Sequence, residues 1–312
     1  MNDSALLFDK SFPILLKQEA ENVLGSEVSI GEKFKSADSF SYLIKSGEAK
    51  YVGKIYRFKD WPPKGKLQIV EKLLNANSIP HEEIIYTAYG HNKFVFGWSI
   101  SKYIPGGSAR KLRNNRKVSG EEYFAGIGRL LEKVHKIKLE TFGSLHDSNR
   151  QFKTFNEYIR KEIEEENFED LLEKYPRYYE TITTAKNWVL KEMKKFGWKQ
   201  AVLVHDDASD ENVIWNNNNP VLIDWVDSLA APPVRDFATL TFRQDKPVLE
   251  IIVKGYGQKI NQDELKLHQV MRHIRLSYFY YFEDKNLKDL EIMIGRLKLL
   301  LNQSRPLGVK MK

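Results

Sequence analysis

Along the first hundred residues, apolar and polar positions alternate with the two-residue period of strands. Residues 28–35 and 40–44 flank the small polar run Ser36-Ala37-Asp38-Ser39, and Ser46-Gly47-Glu48 turns the chain into a further strand at 51–57. This pattern predicts an antiparallel meander. After Trp61-Pro62-Pro63 and Gly65 the period changes. In residues 66–75, Leu67, Ile69, Val70, Leu73 and Leu74 share one broad side of a helix, with Glu71 at its edge. Residues 84–89 and 94–100, separated by Gly90-His91-Asn92, predict a hairpin, and Ile104-Pro105-Gly106-Gly107-Ser108 predicts a hinge.

Beyond the hinge the spacing turns helical. Ile127, Leu130, Leu131 and Val134 mark a helix over 123–138, and 152–174 and 178–195 continue the pattern with many Glu and Lys. One strand-rich island interrupts it, at 201–204, 213–215 and 221–225, with Asn216 to Asn219 turning between the last two. Helices resume to the end. The pattern predicts an α+β, bilobal fold: a smaller lobe of antiparallel strands plus a helix over 1–103 and a larger helical lobe over 104–312.

A length of 312 residues suits two domains or one large bilobal one. Cysteine is absent, which excludes disulfides, thiolate zinc sites, iron–sulfur ligation and cysteine nucleophiles, and agrees with a cytoplasmic address. No stretch approaches the roughly 18 consecutive apolar residues that cross a bilayer, so no membrane partner is expected. The net charge of +7, from 49 Lys and Arg against 42 Asp and Glu, is scattered rather than gathered on one face, so no nucleic-acid partner is expected either.

The island carries the chemistry. His205, Asp207, Asn212 and Asp224 all follow or leave strands. An Asn oxygen and an Asp carboxylate are hard ligands suited to Mg²⁺ bound to substrate phosphates, which leaves the other Asp free to act as a base. Asp224, between Ile223 and Trp225, would be costly inside an apolar strand unless paired or bound to metal. His205 reads as a structural histidine orienting the loop, Asp236 as a buried carboxylate bracing it or simply a helix-start residue, and His135 as packed at a helix end. Asp210 and Asp227 read as loop and edge residues. The run from Tyr278 to Phe282 reads as core, and the acidic stretch from Glu162 to Glu166 as a solvated helix face.

The run His205-Asp206-Asp207-Ala208-Ser209-Asp210-Glu211-Asn212, followed by Val221-Leu222-Ile223-Asp224-Trp225, resembles the aminoglycoside phosphotransferase and choline kinase family, a relative of the protein kinases. The likeness runs over about residues 28 to 240. Tyr51-Val52-Gly53-Lys54-Ile55-Tyr56 resembles the strand whose Lys contacts ATP phosphates, with Glu71 as the ion-pair partner supplied by the next helix. Residues 100–107 resemble the interlobe connection, where backbone groups near Lys102 and Ile104 would meet adenine. Residues 128–135 and 233–238 resemble the family's helix ending in His and its trailing Asp motif. The stretch from Asp224 to Asp236 is similar to that of spectinomycin phosphotransferases. Two departures stand out: Asp206 occupies a position that is usually Gly, and the phosphate-covering run around Ser36 has no glycine triplet.

The resemblance implies a protein-kinase-like fold and transfer of a phosphoryl group from ATP or GTP, with Mg²⁺, to a hydroxyl on a small molecule. The implied acceptors are aminoglycosides or aminocyclitols, macrolides, choline, sugars such as methylthioribose, and homoserine. Asp207 would be the base, Asn212 and Asp224 the metal ligands, and Lys54, held by Glu71, the phosphate clamp. The competing reading, resting on Asp206 and the missing glycines, is a kinase-shaped module that binds nucleotide or a partner without turnover. A third, a metal phosphohydrolase using His205-Asp206, conflicts with the strand that runs straight into His205.

Overall fold

The computed structural model describes residues 11–36, 39–90, 93–115, 117–209, 211–217, 219–242 and 248–303. Ala37, Asp38, His91, Asn92, Asp210 and Asn218, all named in the sequence reading, lie outside the described residues. Backbone contacts divide the chain into two compact units, 1–106 with 222–226, and 107–221 with 227–312. The short segment 222–226 returns to the first unit, which a boundary at 103/104 does not anticipate.

In the first unit, helix α1 (Phe12–Leu24) precedes strands β1 (Ser29–Phe34), β2 (Ser39–Ser46) and β3 (Ala49–Tyr56), helix α2 (Lys66–Ala76), and strands β4 (Ile84–Ala88) and β5 (Trp98–Lys102). The five strands form one antiparallel sheet in the order β1-β2-β3-β5-β4. Three elements differ from the sequence expectation. The helix α1 was not foreseen, although Leu16 and Ala20, one turn apart, are both fully buried. Residues 94–97 are turns rather than strand, with Gly97 at φ 96°. The apolar run 221–225 leaves its strand at Leu222, and Asp224 takes φ 67°.

Strand alternation explains the two faces of β3. Ile55 joins Leu16, Ala20, Tyr42, Ile44, Trp98 and Ile100 in the core. A Cβ on Gly53 would stand 2.7 Å from Ile44 Cδ1 and 3.0 Å from Leu16, so this strand position needs glycine for α1 to pack. Lys54 points to the other face, in register with Ser41 on one side and Ser99 on the other. Both serines are buried, which gives this rung a polar lining.

The second unit opens with β6 (Gly107–Ser108), α3 (Ala109–Asn114) and α4 (Gly120–Val134), then three short strands, β7 (Lys138–Leu139), β8 (Phe142–Gly143) and β9 (Gln151–Phe152). Helices α5 (Phe155–Glu165), α6 (Glu169–Lys174) and α7 (Pro176–Glu192) follow, then strands β10 (Ala201–Val204), β11 (Val213–Asn216), β12 (Asn219–Leu222) and β13 (Leu229–Ala231). Helices α8 (Val234–Phe242), α9 (Leu249–Tyr256), α10 (Gln262–Tyr278) and α11 (Leu287–Asn302) complete it, with one π-helical turn (Phe279–Glu283) after α10. Caps fix several starts. The Ser119 side chain accepts from Glu122 N–H at α4, Thr154 and Glu157 form a reciprocal capping box at α5, and Asn261 accepts from Asp263 and Glu264 N–H at α10. The strands make two small sheets, β7-β10-β13-β8-β9 and β12-β11-β6. The second-unit core gathers α5, α7, α10 and α11 around β10, and Tyr278, Tyr280, Tyr281 and Phe282 pack against it as partly buried side chains.

Candidate active site

The fully buried strand β10 delivers the chain into the loop 205–212, and one carboxylate shapes its start. Asp236, 0 % exposed in the first turn of α8, accepts from His205 N–H through Oδ2 (3.0 Å) and from Asp206 N–H through Oδ1 (2.8 Å). The same Oδ2 is 3.0 Å from Nε2 of His135, the residue that ends α4, and His135 Nδ1 meets the Tyr256 hydroxyl at 3.1 Å. Asp207 N–H then donates to His205 Nδ1 at 3.2 Å. Asp236 thus braces the loop and His205 orients it, as the sequence reading expected of both.

Asp206 lies at φ 61°, the left-handed region that glycine adopts freely and Asp tolerates better than most residues. The chain therefore keeps a glycine-type turn while adding a carboxylate, and that carboxylate is 1 % exposed. Arg235 meets it through Nε (2.7 Å) and Nη2 (3.0 Å), and Arg275 through Nη1 (2.7 Å). Burial alone would push this carboxyl up, but the guanidinium groups of Arg235, Arg275 and Arg272 together outweigh it and hold it well below the usual carboxylate range.

Each oxygen of the next carboxylate has its own donor. Asp207 Oδ2 accepts from Asn212 Nδ2 at 2.7 Å, and Oδ1 from Arg272 Nη2 at 2.7 Å. Asn212 Nδ2 also reaches the Asp207 carbonyl at 3.0 Å, so the amide spends its nitrogen on Asp207.

In the first unit, Lys54 Nζ donates to Asp224 Oδ1 at 3.0 Å and lies 3.6 Å from Glu82 Oε1. Glu82 Oε1 also accepts from Asp224 N–H at 2.8 Å, tying the three residues together. This corrects the expected Lys54–Glu71 pair, because Glu71 Oε1 accepts from Ile84 N–H at 2.9 Å and anchors the start of β4. Glu82 follows Pro80-His81 in an irregular stretch with no periodicity to mark it. Ser36 forms a hydroxyl chain with Ser39 (2.9 Å) and Ser41 (3.0 Å between the latter two). Lys102 N–H is already given to the Glu83 carbonyl at 2.8 Å and its ammonium to the Glu83 carboxylate at 2.6 Å, while Ile104 is half-buried just past β5.

The acidic stretch on α5 is corrected in part: Glu164 and Glu165 are exposed as expected, but Glu162 and Glu166 are not. Glu162 faces inward and takes both Nη1 (3.2 Å) and Nη2 (2.9 Å) of Arg235, with the Tyr158 hydroxyl donating to it at 3.0 Å. Glu166 is 8 % exposed, and burial together with the charge of Glu162 pushes its carboxyl up to about 8. Asp227 accepts from Arg275 Nη2 at 2.7 Å. Glu82, Arg272 and Arg275 were missed from sequence. The two arginines stand three residues apart on an otherwise buried helix, the one local signal that marks them.

An amide oxygen and a carboxylate are hard donors of the kind Mg²⁺ takes, and Asn212 and Asp224 carry one each, in separate units. Among the described residues no cluster of three or more His, Asp or Glu forms an all-protein cage. His268 and His273 on α10 are buried, which lowers both to about 3 and removes them as proton carriers at neutral pH.

The phosphotransferase enzyme family model matches residues 32–268, most of the chain, and the chain belongs to that family. It is, by class, an ATP-dependent phosphotransferase with an alcohol group as acceptor. Comparison with curated proteins finds no match. Among solved structures, the fold is similar to a thermostable mutant of aminoglycoside phosphotransferase APH(4)-Ia in ternary complex with AMP-PNP and hygromycin B, at TM-score 0.69 and 15 % identity over 92 % of this chain and 97 % of that one. It is similar to the gentamicin–APH(2")-IIa complex at TM-score 0.65 and 20 % identity, covering 93 % and 96 %. Spectinomycin phosphotransferase APH(9)-Ia with ADP and spectinomycin aligns at TM-score 0.62 and 14 % identity, covering 91 % and 97 %. The protein-kinase-like α+β fold expected from sequence is therefore the fold observed.

Proposed function

We propose that this protein transfers the γ-phosphoryl group of ATP to a hydroxyl of an aminoglycoside-like or other small metabolite, with Asp207 as the base. The observation that carries the reading is the Asp207 carboxylate, half-exposed yet held through both oxygens by Asn212 and Arg272. A carboxylate fixed in this way can orient an acceptor hydroxyl and take its proton as the acceptor oxygen bonds to the γ-phosphorus and the bond to ADP breaks. Lys54 supplies positive charge to the phosphates, and its partners Asp224 and Glu82 keep it extended on the polar face of β3. Asn212 and Asp224 would hold Mg²⁺, which neutralises phosphate charge when bound. Ser36 and the backbone at Ile104 are the proposed further nucleotide contacts.

The non-catalytic reading rests on Asp206 and the missing glycines; at Asp206 the left-handed backbone is kept, and its N–H is held by Asp236. The test is phosphoryl transfer read by mass spectrometry, with Mg²⁺ and ATP or GTP offered alongside pooled aminoglycosides, spectinomycin, macrolides, choline, methylthioribose and homoserine. A panel member gaining one phosphoryl group in the wild type but not in Asp207→Ala supports the reading. Equal transfer by Asp207→Ala would remove Asp207 as the base.

A further inference from the structure

Arg272 reaches the catalytic loop from α10, 65 residues away in sequence. One guanidinium nitrogen, Nη1, donates to the carbonyl of Asp206, and the other, Nη2, donates to Asp207 Oδ1 at 2.7 Å. The pair of bonds straddles the Asp206–Asp207 peptide and ties the carboxylate to its own main chain. The side chain is 14 % exposed, and Nε is buried without a partner, so the residue gives up hydration to make this contact.

Its own position is set by the layer beneath. The Asp206 carboxylate lies 4.0 Å from Arg272 Nη1 and binds Arg235 and Arg275 directly. Arg235 is completed by Glu162 and Arg275 by Asp227. Three guanidinium groups from two helices are thereby neutralised around one buried carboxylate, and only Arg272 extends from the cluster to Asp207. Without Asp206, Arg272 would stand beside two other cations, and repulsion would work against that placement.

We propose that Arg272 is a positioning residue that holds Asp207 for proton transfer, and that Asp206, in a turn where glycine would serve, anchors it there. The proposal rests on the reading of Asp207 as the base. Holding matters because a displacement of about 1 Å in a reacting group can lower a rate by about 10²-fold.

The experiment measures ADP formation from Mg²⁺·ATP, with the acceptor panel above present to take the phosphoryl group, by the full-length wild type, Arg272→Ala, Arg272→Lys and Asp207→Ala. Arg272→Ala is expected to lose about 10²-fold in kcat with the KM for ATP unchanged, a change in transition-state rather than ground-state interactions. Added guanidinium ion is expected to restore part of the lost rate in Arg272→Ala and none in Asp207→Ala, which a merely structural role would not produce. Arg272→Lys, a point charge that cannot span carbonyl and carboxylate together, should fall between the two. Near wild-type kcat in Arg272→Ala, or a loss with no guanidinium rescue, overturns the proposal. If the wild type itself shows no Asp207-dependent turnover, the reading of Asp207 as base fails. The contact is then judged separately from urea midpoints of Arg272→Ala, Asp207→Ala and the double variant. Non-additive losses uphold the hold of Arg272 on Asp207, and additive losses overturn it.

Discussion

Asp206 brings a local backbone cost and a long-range charge gain onto one residue. A left-handed non-glycine residue costs on the order of 1–2 kcal/mol, whereas removing one partner from a buried ionic cluster costs about 3–5 kcal/mol. The second effect is larger, so Asp206→Gly, despite its relaxed backbone, should be less stable to urea than the wild type by about 1–4 kcal/mol. Asp206→Asn keeps the shape and loses the charge, and should be destabilised too. A Gly variant as stable as the wild type would contradict this balance.

Two carboxyls in the same neighbourhood should pull stability in opposite directions with pH. The folded value for Asp206 is depressed, so its contribution is present above the ordinary carboxylate range and is lost only as pH falls below it. Glu166 is the reverse case. Its folded value of about 8 lies above the unfolded one, so its stabilising effect is full below about pH 4.3 and is lost as pH rises towards 8. The slope is at most roughly 1.4 kcal/mol per pH unit. The charged groups around it are Glu162, Arg275, Lys186 and Arg235. Thermal melts from about pH 4 to about pH 9 should show the wild type losing stability that Glu166→Gln retains.

At the scale of elements, β3 and α10 carry the long-range organisation. In β3 the absence of a side chain at Gly53 admits α1, and the next residue presents its ammonium on the opposite face. Gly53→Ala should cost about 1–3 kcal/mol by overpacking against Ile44 and Leu16, measurable as a lowered denaturation midpoint. The meander β1–β3, the strands β4 and β10–β12, the helix after Gly65 and the spacing of His205, Asp207 and Asn212 were legible because each has a local signature of period, punctuation or spacing, whereas β6–β9 and β13, two or three residues each, have none. Glu82 has none, sitting in irregular chain between α2 and β4, so the nearest helical carboxylate, Glu71, took its place in the sequence reading. Glu162 and Glu166 looked like a solvated face because their spacing is that of an amphipathic helix. The burial of Glu162 is matched by Arg235, which lies 73 residues further along the chain. Arg272 and Arg275 were hidden for the same reason, since their partners come from other parts of the chain.

At the scale of the whole molecule, the sequence signals for a phosphotransferase are spread between the two units, with Lys54 and Asp224 in one and Asp207 and Asn212 in the other. Mg²⁺·ATP should therefore raise the melting temperature of the full chain. A ligand at about 100 times its dissociation constant adds roughly 2.7 kcal/mol. Differential scanning fluorimetry should show this shift with Mg²⁺ and ATP together. It should shrink without Mg²⁺ or in Asp224→Ala, and an undiminished shift in that variant would remove Asp224 from metal binding.

The return of residues 222–226 to the first unit has a consequence for synthesis on the ribosome. Lys54 and Glu82 are made early, but the third member of their ion cluster, Asp224, is encoded 142 residues after Glu82. At about 5–20 residues per second, the nascent first unit spends roughly 7–30 s without it. A fragment released at Gly106 would stay in that unfinished state permanently, with an ammonium and a carboxylate that no later residue arrives to complete.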